Sequence, residues 1–102
     1  MTQPELLRRL AEEGIVPLTA EEWGEIRHAF QVVERHPTFL AGELVIAHSE
    51  AGLIAVEEPR DDERVVRRLG DEAAMRAFVK ERLDTYERMW DGCGCKVDYY
   101  HG

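Results

Sequence analysis

The chain has two cysteines in 102 residues, both near its carboxyl end, so it is not a disulfide-stapled scaffold. Serine occurs once, at Ser49, with no nucleophile elbow around it, which removes the usual pattern of a serine hydrolase. No apolar run approaches the roughly 18 residues of a membrane span. Positive charge is also scarce: 13 Lys and Arg stand against 21 Asp and Glu, a formal net charge of −8, with the two signs interleaved. Nucleic acids and anionic membrane surfaces need a basic face, so neither is an expected partner. Arg64, Arg67 and Arg68 are a local basic concentration that does not change this expectation. A phosphate-cradling glycine loop is missing too, because "GDEAAM" lacks the lysine and the following hydroxyl residue. The start, "MTQPELLRRLAEEG", lacks the basic-then-apolar plan of a secretory signal. A cytoplasmic location is the resulting expectation, and there two nearby cysteines point to metal or redox chemistry before a structural disulfide.

Apolar residues make up 44% of the chain and charged residues 33%, a globular balance. The length suits one domain over 1–102 with a single modest core. Thr2 and Glu5 form a capping-box pattern with Pro4 in the first turn, predicting a helix that buries Leu6, Leu7 and Leu10 and stops at Gly14. "IVP" reads as a short extended connector. Thr19 and Glu22 repeat the capping pattern, and Trp23, Ile26, Phe30 and Val33 recur at helical steps, predicting a second helix to about Arg35, ahead of Pro37. The period then changes. Leu44, Ile46 and His48 alternate with Val45 and Ala47, "SEAG" marks a turn at Gly52, and "LIAV" continues as a partner strand. "EEPRDDE" reads as a charged turn, and "RVVRRL" as a third strand ending at Gly70–Asp71. Glu72 to about Trp90 is the most regular segment, with Met75, Phe78, Val79, Leu83, Tyr86, Met89 and Trp90 in one stripe. Arg82 falls inside that stripe, either with its stem on the core and its head in water, or in a buried pair with a carboxylate or a partner contact. The expected fold is α+β: two N-terminal helices, a three-stranded antiparallel β-meander, and a long C-terminal helix packed on one sheet face.

Residues 91–102 form a cysteine- and aromatic-rich tail, "DGCGCKVDYYHG". Asp91–Gly92 reads as a helix stop, and Gly94 lets Cys93 and Cys95 turn their sulfurs toward one point. A helix carboxyl end carries partial negative charge, which disfavours a free thiolate and favours a bound cation. Asp98 and His101 follow at steps of three and would complete four ligands, with His28, His36 or His48 able to replace one. Soft ligands of this kind select zinc or cuprous copper. Two other readings stand beside it. The thiols can pack as small apolar groups, or they can form a strained, easily reduced disulfide used in thiol exchange. Tyr86, Met89, Trp90, Tyr99 and Tyr100 crowd the same end and would form a docking surface for a protein partner or a second copy. His48 reads as a hydrogen-bonded core histidine and His28 as solvated. Glu57–Glu58 and Asp61–Asp62 lie in the charged turn, where nothing excludes water, so acid–base catalysis has no motivating feature. The sequence therefore describes a small non-catalytic binding or accessory protein whose carboxyl tail holds a soft metal such as zinc, or alternatively a metal-free interaction module.

Overall fold

Capping chemistry decides where each helix begins. The structure, a computed structural model, describes residues 2–38, 42–50 and 52–92, with side chains through Arg88. Helix α1 (Gln3–Glu13) starts at Thr2, whose hydroxyl accepts from the Glu5 N–H at 3.4 Å. It ends where Gly14, at φ 78°, donates its N–H to the Leu10 carbonyl, a left-handed turn that any side chain would strain. Helix α2 (Ala20–Ile26) opens on a complete capping box: Thr19 Oγ1 accepts from the Glu22 N–H, and a Glu22 carboxylate oxygen accepts from the Thr19 N–H, each at 3.0 Å. Asp71 caps α3 (Glu72–Gly92) through a 2.8 Å bond from the Ala74 N–H.

Between the helices lie five strands: β1 (Ile15–Thr19), β2 (Gln31–Pro37), β3 (Glu43–Ser49), β4 (Gly52–Arg60) and β5 (Glu63–Gly70). They form one antiparallel sheet in the order β1-β5-β4-β3-β2. The three-stranded meander behind two full N-terminal helices is therefore overturned, although the α+β class holds. Two segments account for the difference. Residues 15–19 are a strand, not a connector, with Val16 and Leu18 buried between exposed neighbours. Pro17 is tolerated because β1 is an edge with a partner on one side only. The second helix stops at Ile26, passes through a 3-10 turn at Arg27–Ala29, and gives way to β2. The apolar spacing that suggested a longer helix is real as far as Phe30. Beyond it Val32 pairs with Ala47 of β3, Val33 falls at a bulge, and Glu34 to Pro37 continue the ladder, so sheet hydrogen bonding wins over helical periodicity.

The sheet is packed on both faces, so two clusters replace the expected single core. On one face α1 and α2 cover Val16, Leu18, Ala47, Ile54, Val56 and Val66 with Leu6, Leu10, Ile26 and Phe30. On the other, α3 lays Met75 and Val79 over Leu44, Ile46, Leu53 and Ala55. The alternation of β3 sends Leu44 and Ile46 one way and Val45 and Ala47 the other, feeding both clusters. Coverage is uneven. The main contacts of α1 and α2 are with β1 and β5, and among the described residues no helix has its main contacts with the β2–β3 end of that face.

Candidate functional site

At that end lies a groove of about 450 Å³. Its floor is built from Val45 and Ala47 of β3, Val32 of β2, and the rings of Trp23 and Phe30, which stack at 5.6 Å with 17° between their planes. The register puts Val32 opposite Ala47 and Arg35 opposite Val45, so all four residues share this face of the sheet. Gly24 of α2 forms part of the wall, and a β-carbon there would meet nothing within 4 Å. Charged groups ring the floor in an asymmetric way. Arg35 is paired with Glu43 at 3.2 Å. Arg64 donates to the carbonyls of Arg60, Asp61 and Glu63 at 2.8 to 3.1 Å and lies 3.8 Å from Glu58. Arg27 and His28 line the groove with no side-chain hydrogen bond or ion pair among the described residues. Its accessible lining is more polar than apolar, and its size lies within the range of small-ligand sites.

The opposite face carries a second chemical cluster, around Glu57. The β4 alternation turns Glu57 inward beside Ala55, and its side chain is only 7% exposed. Tyr86 of α3 donates its hydroxyl to Glu57 Oε2 at 2.5 Å. Arg82 Nε lies 3.0 Å from the same oxygen, but its N–H is not aimed for a hydrogen bond, so the contact is an ion pair alone. Arg67 reaches the other carboxylate oxygen at 3.9 Å. Both guanidiniums sit over the Phe78 ring, 5.2 and 5.5 Å from its centroid. Burial, and then the neighbouring Glu57, push the Tyr86 hydroxyl well above the usual phenol range, with the two arginines opposing. Tyr86 is thus a fixed donor, not a base. The cluster pins α3 to the sheet and does not open into the groove, which is on the other face. Near the start of α3, Arg76 reaches Glu34 of β2 at 2.7 Å, a second tie between the same layers, and His36 of β2 lies 2.8 Å from the same carboxylate.

These positions sort the residues singled out from the sequence. Tyr86 is half-buried with its hydroxyl committed to Glu57. Arg82 is in the carboxylate pair that its place in the apolar stripe allowed. His48 is exposed, not a core residue, while His28 is exposed on the groove rim. Glu57 is in a strand and buried, not in a charged turn. Gly92, expected as the stop, is the last residue of the helix as described. Met89 and Trp90 belong to α3, but their side chains lie outside the description. Cys93, Cys95, Asp98, Tyr99, Tyr100 and His101 lie outside the described residues altogether. Among the described residues no group of three or more His, Cys, Asp or Glu side chains is placed to hold a metal ion, and no helix is long and apolar enough to cross a membrane.

Sequence reasoning missed the groove, Glu57 and Arg67. Glu57 had a signal: it continues the Leu53–Ala55 alternation, which marks it as inward-facing. The groove had none, because it arises from how far α2 reaches across a sheet whose strand count was misread. Comparison with protein-family models, with curated proteins and with solved structures finds no match. The functional reading therefore rests on this geometry.

Proposed function

We propose that the chain is a small, non-catalytic, cytoplasmic binding protein and that the groove beside α2 is its ligand site. The observation that supports this most is the groove at the β2–β3 end of one sheet face, where the part-exposed Trp23, Val32 and Val45 meet an incompletely neutralised polar rim among the described residues. A domain with no use for that surface would gain by covering it, since burying apolar area contributes roughly 25 cal/mol per Å². Gly24 offers a clean test. Gly24 lines the groove and a β-carbon there would meet nothing within 4 Å, so Gly24→Phe is expected to crowd the groove with a ring. Gly24→Ala is the control, expected to fold at least as well as the parent because it removes a helical glycine. A fragment library screened by ligand-observed NMR should give hits that survive Gly24→Ala and disappear in folded Gly24→Phe. Hits indifferent to Gly24→Phe would place binding elsewhere and end this reading.

The tail supports a second, independent proposal, drawn from its sequence. Cys93 and Cys95, flanked by glycines and followed by Asp98 and His101, form a donor set suited to zinc or cuprous copper. Tyr99 and Tyr100 beside them suit contact with a protein partner or a second copy.

A further inference from the structure

We infer that the ligand of the groove is a small aromatic carboxylate, with Arg27 as the residue that receives its charge; this deepens the reading of the groove as the ligand site and rests on it. Among the described residues the lining holds three arginines against two glutamates, an excess of one positive charge from these five side chains. That excess is not shared equally among the arginines. Arg35 is neutralised by Glu43, and Arg64 is occupied by three backbone carbonyls with Glu58 nearby. Of the three arginines, Arg27 alone enters the groove with its donors uncommitted among the described residues. A planar guanidinium fork of this kind matches a carboxylate through two parallel hydrogen bonds.

The rest of the ligand follows from the floor. Trp23, half-buried and stacked on the buried Phe30, presents aromatic surface beside Val32 and Val45, which suits a flat apolar body. The volume, about 450 Å³, fits a small molecule better than a folded partner's surface. Two features argue against more highly charged aromatics such as nucleoside polyphosphates. The excess in the groove is one charge, and the chain as a whole carries −8, a field that repels polyanions at distance. Glu43 and Glu58 on the rim would also stand against a second or third negative group.

Indole-3-acetate, indole-3-acetamide and tryptamine share one ring and differ in charge, which makes them the probes. Each is titrated into the isotope-labelled full chain and followed by amide and indole N–H shifts. Indole-3-acetate should move the signals of Trp23, Arg27 and Val45 and bind about tenfold more tightly than the neutral amide, the effect of one charge-assisted contact. Tryptamine should bind most weakly. In Arg27→Gln the acetate should fall to the affinity of the amide while the amide is unchanged. Equal binding of acetate and amide within the groove would overturn the inference and leave the groove reading standing. A preference that persists in Arg27→Gln, or no groove shifts from any of the three at millimolar concentration, would also overturn it. The groove reading fails separately, on the Gly24→Phe comparison.

Discussion

Replacing Glu57 should cost this domain more than replacing any other carboxylate among the described residues. The Glu57 side chain is 7% exposed, accepts the Tyr86 hydroxyl and is the counter-ion of Arg82 and Arg67. Truncating it to alanine leaves a half-buried phenol without an acceptor and two guanidiniums without an anion. Breaking one partner out of a fully buried pair costs about 3–5 kcal/mol. Here the arginine side chains are 32% and 27% exposed, so water relieves part of that loss. The expected cost is then about 2–3 kcal/mol, made of one hydrogen bond to a charged acceptor and a partly hydrated pair of cations. For a domain of this length that is on the order of 10–20 °C in Tm. Glu57→Gln keeps an acceptor for Tyr86 but not the charge, and should fall between the two. Urea denaturation measures each, with the slope m unchanged if only stability is altered. A Glu57→Ala protein within about 0.5 kcal/mol of the parent, an ordinary surface effect, would refute the argument that this cluster holds α3 to the sheet.

Tyr86→Phe tests the same cluster through pH. The Tyr86 pKa is raised in the folded state above the ordinary value of 10.0, so its share of stability is intact below that pH and is lost as the pH rises beyond it. The parent should therefore lose stability above about pH 10 more steeply than Tyr86→Phe does in parallel melts; identical alkaline profiles would contradict this assignment. Gly52→Ala should destabilise by about 1–2 kcal/mol, because φ is 97° and the added carbon would come within 3.0 Å of the Gly70 carbonyl oxygen. Chemical denaturation checks it, and an unchanged midpoint would contradict the described hairpin. For the tail, protein purified without a tag should contain zinc or copper that is lost in Cys93→Ser/Cys95→Ser. Metal-free protein that also ignores added zinc would close that proposal.

Local chemistry was legible in the sequence where a few adjacent residues decide the outcome. The Thr19–Glu22 capping box, the Gly14 stop, the left-handed Gly52 and the Asp71 cap all follow from short-range hydrogen bonding and backbone sterics. The opposite faces of β3 also followed from alternation alone. Legibility failed where distant partners choose between local options. Residues 31–37 carry a helix-like spacing up to Val33, yet β3 supplies a hydrogen-bonding partner that a helix would forgo. Ile15–Thr19 alternates as a strand should, but its short "IVP" start reads as a connector until β5 is known to pair with it. These two segments added two strands, and with them the second packed face. The groove could not be inferred earlier, because it lies between α2 and the β2–β3 end of that wider sheet. Glu57 lay in a run of charges that looked solvated as a whole, although its parity with Ala55 set it apart from Glu58.

Crystals of the full chain soaked with a diverse fragment set give the most direct view of the central claim, that the β2–β3 end of the α2 face receives a ligand. The account predicts fragment density between Trp23, Arg27 and Val45, with acidic fragments over-represented. Fragments scattered across the surface, or gathered on the α3 face while the groove stays vacant, would contradict it.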